Sequence, residues 1–311
     1  MAETPAMIGL DWGITRLRAY AIGACGTVLD ALDRPSGILS IEDEDFEAVF
    51  HREVGPMAAD APGVPILASG MITSRQGWVE TPYVGCPAGA EALAAALVRH
   101  EAGAGRVACF APGMRLDGPD GTPDVMRGEE TQIVGALSAG GGGLMVLPGS
   151  HSKWTFADRD EVTWFATFMT GELYGLLREH SILGRLMAPQ PVFEAAAFAR
   201  GLDRARDEGP GAGGLLKRLF GVRTLGLFDC LAPEAAPDYL SGLLIGTEIG
   251  EALAAIDEPV ERVTVIGGES LSERYAAALR HFGLRAEPAA PDLAARGLLA
   301  IARAAGLVTG P

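Results

Sequence analysis

The chain has 311 residues, of which 48% are hydrophobic and 21% charged, with a formal net charge of −15. That length suits two domains or one large α/β unit, and the composition excludes a disordered chain. The acidic balance argues against a general nucleic-acid binder, which needs clustered Lys and Arg, and no apolar run reaches the ~18 residues needed to span a bilayer.

The N-terminal MAETPAMIGLDWG lacks the basic flank and long apolar run of a signal peptide, so a cytoplasmic location and no membrane partner are expected. Cys25, Cys86, Cys109 and Cys230 have no C-x-x-C spacing, which predicts buried thiols in a reducing compartment.

In chain order, MIGLDWGITRLRAYAI reads as strand, Gly-containing turn and strand, and GTVLDAL starts a third strand. SIEDEDFEAVFHREV has Phe46, Val49, Phe50 and Val54 at helical spacing, with Ser40 as its cap. GVPILASGM is a buried strand entering a loop, EALAAALVRH a helix, RVACFAPGM a short strand and GEETQIVGAL a helix. A glycine run, Gly140–Gly143, precedes a second strand-turn-strand, LMVLPG into SHSKWTFADRDEVTWFATF. Helices follow at ELYGLLREH, PVFEAAAFARGL, GGLLKRLFGVR and DYLSGLLIGTEIGEALAAI. The strand VTVIGG, the helix SERYAAALRHF and the amphipathic PDLAARGLLAIARAAGL complete the chain. Alternating strands and helices make an α/β protein, and two similar hairpins suggest a duplicated architecture around a cleft.

Four stretches have residues suited to chemistry. In LDWGITRLR, Asp11 ends a buried strand, and Gly13 and Thr15 form a turn that can approach phosphate. Asp11 there could hold Mg²⁺, or the segment could be an ordinary hairpin with an Asp in its turn. In VTVIGGESLSERY, Gly267 and Gly268 end a strand and Ser270 begins a helix, a turn that can take a flat ring or phosphate but is also common in structural roles. PDVMRGEETQIVGAL sets Asp124, Glu129 and Glu130 around a helix start, where carboxylates either cap the helix or act as a general base. ASGMITSRQGWVETPYV brings Ser69, Gly70, Met71, Arg75, Trp78 and Tyr83 into one loop suited to a polyol, with Arg75 able to pair a carboxylate. No P-loop and no dinucleotide fingerprint occur. A Ser150 or Ser152 hydrolase would want G-x-S-x-G, where this chain has G-S-H-S-K.

The ordered set IGLDWGITRLR, PDVMRGEETQI, LPGSHSKW and VIGGES resembles the actin/hexokinase/Hsp70-type ATPase superfamily. More narrowly, ASGMITSRQGW, PDVMRGEETQI, LPGSHSKW and MTGELYGLL…HSIL resemble the 2-dehydro-3-deoxygalactonokinase family over nearly the whole chain. The resemblance implies an α/β fold of two ribonuclease-H-like domains around an interdomain cleft, with an N-terminal domain at 1–138, a C-terminal domain at 139–290 and a last helix, 291–311, returning to the first domain. It implies ATP-dependent phosphorylation of the C6 hydroxyl of 2-dehydro-3-deoxy-D-galactonate, the gluconate-series acid or a non-catalytic ATP switch being the alternatives, with ATP and Mg²⁺ as cofactors and Asp11 as metal ligand. Asp11, Gly13, Thr15 and Arg18 match the first phosphate motif, Gly149, Ser150 and His151 the second, and Gly267, Gly268 and Ser270 the adenosine motif. Related kinases place an Asp base before the second hairpin; Glu129 is the nearest match here, with Asp124 and Glu130 as competitors. Arg16, Arg75, Arg127 and Lys153 are the candidate cations for two anionic substrates, and a homodimer is admissible.

Overall fold

A β-hairpin opens the chain, β1 (Pro5–Trp12) against β2 (Leu17–Gly23), and β3 (Val28–Arg34) extends it antiparallel. The computed structural model describes residues 3–189, 192–211 and 213–309. Next come α1 (Phe46–Glu53), α2 (Gly55–Asp60), β4 (Ile66–Ser69), β5 (Tyr83–Gly85), β6 (Ala88–Gly89), α3 (Ala90–Ala95), β7 (Val98–Glu101), β8 (Val107–Phe110), β9 (Gly113–Asp117), β10 (Pro123–Met126) and α4 (Glu129–Ser138). The second hairpin is β11 (Gly143–Leu147), β12 (Ser152–Asp158) and β13 (Glu161–Phe168). There follow α5 (Thr170–His180), α6 (Ala195–Arg206), α7 (Leu215–Leu227), α8 (Ala236–Ala254), β14 (Arg262–Val265), α9 (Glu269–His281), β15 (Arg285–Pro288) and α10 (Leu293–Ala304).

The described residues fall into two compact units. The first holds the chain up to Gly143, Thr155–Phe165 and everything from Ala289 on; the second holds Leu144–Trp154 and Ala166–Pro288. In the first unit the strand order is β3-β2-β1-β4-β8-β7, antiparallel over the first three and parallel from β1 through β4 to β8. Its core packs α1 on the sheet through Phe46, Val49, Phe50 and Val54, the four positions spaced for a helix face. Trp78 joins the same core, its ring 5.6 Å from both Phe50 and Phe110 and 5.5 Å from His100. A small sheet, β10-β9-β5, stands beside it, and α10 crosses α4 where Gly297 meets the Thr131 carbonyl and Gly135 the Leu293 carbonyl, leaving no room for a side chain on either glycine. In the second unit β11, β14 and β15 run parallel with β12 next to β11, and α6 crosses α8 at another glycine pair, Gly201 and Gly242.

Several expectations change. The helix cap is Asp45, whose carboxylate accepts from the Ala48 N–H, while Ser40 ends a separate turn bonded to the Gly37 carbonyl. The predicted helix over residues 91–100 stops at Ala95, and the β-branched Val98 begins an edge strand through Glu101. Asp124 lies inside β10 opposite Leu116, not at the helix start. Only Cys109 among the four free thiols is buried; Cys25 and Cys230 are exposed. The helix expected from Pro191 begins at Ala195, and Pro191 itself lies outside the described residues.

Candidate active site

In the first unit, Asp11 ends β1 directly across from Arg18 of β2. Their side chains pair at 3.4 Å, and Arg18 also reaches Asp33 at 3.4 Å. Arg16 pairs with Asp33 at 2.7 Å. The turn between the strands is closed by the Gly13 N–H donating to the Arg16 carbonyl at 2.9 Å, which leaves Thr15 exposed. Burial raises the Asp11 carboxyl above its ordinary range, and the Arg18 guanidinium opposes that rise. A buried carboxylate with one long ion pair is still under-neutralised.

On the other side of β1, Asp11 is directly in register with Ser69 of β4 in the parallel ladder. Ser69 is buried and donates to the Leu10 carbonyl at 3.3 Å. Gly70 takes φ +92°, and a Cβ there would sit 2.8 Å from the Trp12 carbonyl and face Gly128, whose own Cβ position is 3.1 Å from Gly70 Cα. Gly128 has φ +106°. Two left-handed glycines in contact therefore hold the start of α4 against the loop after β4. Met71 packs on the core from a short 3₁₀ turn, Met71–Thr73.

Arg127 is the fastener of this region. Its guanidinium donates to the Thr73 carbonyl (2.8 Å), the Thr73 hydroxyl (2.6 Å), the Thr81 hydroxyl (2.6 Å) and the Thr81 carbonyl (3.1 Å), and it lies 4.3 Å above the Tyr83 ring. So many committed donors make Arg127, a candidate cation in the sequence, a group that pins the loop. Trp78, expected in the substrate loop, is likewise turned into the aromatic core, because a large ring gains more from burial there. Arg75 is exposed at the loop's tip, and Tyr83 is 44% exposed.

The two glutamates at the start of α4 have different environments. Glu129 is half-buried and accepts from the Arg127 N–H at 3.0 Å. Glu130 is buried, accepts from the Gly128 N–H at 2.6 Å and takes the Thr131 hydroxyl at 3.3 Å. Burial first, and then the Glu129 charge, push the Glu130 carboxyl up to about 8 against the backbone hydrogen bonds and Arg127. Glu130 therefore keeps its proton to a higher pH than an ordinary glutamate does.

In the second unit the turn Pro148–His151 lies against the first residues of α5. The Glu172 N–H donates to the Ser150 carbonyl at 3.0 Å, the Glu172 carboxylate holds His151 Nε2, and Gly171 packs without a side chain on the Gly149 carbonyl. Gly267 adjoins the same turn: a Cβ there would meet Pro148 Cδ at 3.6 Å. Gly268 caps α9 and leaves Ser270 exposed. Lys153 is 5% exposed and donates to the Thr167 hydroxyl at 2.7 Å, so its charge sits inside the hairpin and not at the turn. Sequence reasoning missed a cavity of about 260 Å³ opening from Gly149 and walled by Ile245, Leu271, Arg178 and Arg274. Arg274 is fixed there by buried Asp238 at 2.6 Å and by the Phe193 ring at 4.4 Å. Its only sequence signal was the position of Leu271 and Arg274 one turn beyond the glycine pair.

An antiparallel triplet leading a parallel sheet, a carboxylate at the end of its first strand and a second glycine hairpin further along define an actin-like ATPase fold of two ribonuclease-H-like units. Among the described residues no helix is long and apolar enough to cross a membrane. A family model described as 2-keto-3-deoxy-galactonokinase matches residues 11–301, and the chain belongs to that family. It is 37% identical over 302 residues to a Rhizobium meliloti protein named "Probable 2-dehydro-3-deoxygalactonokinase DgoK1", covering 95% of this chain and 96% of that one. It is 32% identical to the Escherichia coli 2-dehydro-3-deoxygalactonokinase, covering 97% and 99%. A crystal structure of a Sinorhizobium meliloti protein given the 2-dehydro-3-deoxygalactonokinase name superposes with a TM-score of 0.86 at 35% identity, covering 96% of this chain and 98% of that one.

Proposed function

We propose that the protein transfers the terminal phosphoryl group of ATP to the C6 hydroxyl of 2-dehydro-3-deoxy-D-galactonate, giving 2-dehydro-3-deoxy-6-phospho-D-galactonate. The observation that carries this reading is the family match across residues 11–301, which includes every motif described above. The geometry of each unit supports it separately.

In the first unit the sugar acid is read by the loop of residues 69–83. Arg75, exposed at the tip, pairs with its carboxylate, and Tyr83 contributes its free edge. Arg127 shapes that loop from behind. Glu129 is the base: the C6 oxygen attacks the γ-phosphorus, its proton passes to the Glu129 carboxylate, the bond from phosphorus to the bridging oxygen breaks and ADP leaves. Glu130, neutral beside it, adds no second negative charge to a site that must admit phosphates. A positioned base of this kind is worth about 10²–10⁴ in rate.

In the second unit the turn Gly149–His151 takes the phosphates through its backbone and its Ser150 and His151 side chains, with Gly267, Gly268 and Ser270 on the adenosine side. The cavity's apolar walls and two guanidinium planes suit a flat heteroaromatic base. Mg²⁺ fits Asp11, a hard oxygen donor that lacks a full counter-charge. Substrate phosphates and water would fill the metal's remaining positions. When bound, the ion neutralises phosphate charge. The reading places the enzyme in the cytoplasm, with small-molecule partners, no nucleic acid and no membrane, and admits a homodimer.

The test is a coupled ADP-release assay with both 2-keto-3-deoxy epimers. ATP consumption that depends on the galactonate-series acid is expected. Turnover without any sugar acid, or preference for the gluconate-series epimer, overturns the assignment.

A further inference from the structure

A buried carboxyl that pairs with no Lys or Arg among the described residues lies beneath the phosphate turn of the second unit. Glu248 of α8 is 2% exposed. It accepts from Trp154 Nε1 at 2.7 Å and from the Tyr275 hydroxyl at 2.7 Å. Burial raises this carboxyl above its ordinary range, and the hydrogen bonds from Thr170, Trp154 and Tyr275 oppose the rise. Tyr275 has given its one hydrogen to Glu248, so it meets the Ser152 hydroxyl, 2.8 Å away, as an acceptor.

These residues come from three different elements. Ser152 and Trp154 begin β12 directly after the turn, Thr170 is the first residue of α5, and Tyr275 is in α9, the helix that follows the glycine pair. Thr170 and Tyr275 also wall the cavity; Glu248 does not. One acceptor thus sets the distance between the phosphate turn and the adenosine-side helix. Stability alone gives no reason to keep an uncompensated charge here, since an apolar replacement of the whole cluster is commonly no less stable.

We propose that Glu248 is a positioning residue for the nucleotide: by holding Trp154, Thr170 and Tyr275 directly and Ser152 through the Tyr275 hydroxyl, it keeps the Gly149–His151 turn and α9 at the spacing ATP requires. This rests on the kinase reading and extends it to a residue that touches neither substrate. Glu248→Gln keeps the shape but breaks the pattern. Trp154 can only donate, so it claims the amide oxygen; the amide NH₂ then faces the Tyr275 oxygen and turns the tyrosine's hydrogen away.

The experiment measures calorimetric affinity for a non-hydrolysable ATP analogue and the KM of each substrate, in wild type, Glu248→Gln and Ser152→Ala. The expected result is an analogue affinity about tenfold weaker in both variants, comparable to one redirected charged hydrogen bond, with the sugar-acid KM unchanged. Unaltered analogue affinity overturns the proposal, as does an equal loss for both substrates. If Glu248→Gln does not fold, Ser152→Ala decides on the same criterion. Wild-type protein that fails to bind the analogue overturns the kinase reading itself, which separates the two failures.

Discussion

Replacing Glu130 with Gln isolates the protonation asymmetry at the start of α4. The amide can accept from the Gly128 N–H and donate to Thr131, so the contacts survive while the titration disappears. In the folded protein this carboxyl titrates at about 8, against an ordinary 4.5. A raised carboxyl binds its proton more tightly folded than unfolded, so its contribution to stability is full below about 4.5 and is lost as pH rises through 8. At about 1.4 kcal/mol per decade the whole interval has a ceiling of roughly 5 kcal/mol. Local relaxation around a forming charge reduces the measurable part to about 2–3 kcal/mol. Urea unfolding of both proteins from pH 5 to pH 9 checks this. Wild type should lose stability relative to Glu130→Gln across that range and be the less stable of the two at pH 9. A difference independent of pH refutes a proton held on Glu130.

Glu129→Gln should lower kcat by about 10²–10⁴ with little change in either KM, and Glu130→Gln should lower it less; the reverse order in a steady-state assay reassigns the base. Asp11→Asn should collapse turnover and weaken its dependence on Mg²⁺ concentration, and a near wild-type kcat sinks the metal assignment. Arg75→Ala should raise the sugar-acid KM about tenfold or more and leave the ATP KM in place, as lost carboxylate pairing requires. Gly171→Ala drives a methyl into the Gly149 carbonyl and should raise the ATP KM selectively, measurable in the same assay.

Much of the framework was legible because local patterns and tertiary packing agree. Alternation around Gly13, the α1 spacing of Phe46, Val49, Phe50 and Val54, and the apolar VTVIGG run each survive as the element they suggested. The short strands β5, β6, β9 and β10 were not legible: they are two to five residues long, rich in Gly and Pro, and exist through pairing to distant partners. Side-chain commitments were harder still. Nothing local distinguishes Arg75 from Arg127, yet one is exposed and the other spans two threonines 46 and 54 residues away. Lys153 looked like a loop cation because neighbouring residues are polar, but it lies in the first four residues of β12, which are buried on both faces. Glu248, in an apolar helix outside any motif, gave no signal at all; its importance depends on three donors distant in sequence, Trp154, Thr170 and Tyr275.

The crossing of α10 on α4 sets an order of events during synthesis. The helix bearing Glu129 and Glu130 ends at Ser138, and the helix that seats it begins only at Leu293. At ~5–20 residues per second, α4 leaves the ribosome roughly 8–30 s before its buttress exists. In that interval the residues of the second unit emerge as a nearly continuous stretch and can fold. Within the first unit, α4 is therefore seated late, once α10 has been made. A nascent chain can acquire its second unit while the start of α4, with Glu129 and Glu130, still lacks its buttress, which couples completion of the first unit to translation through α10.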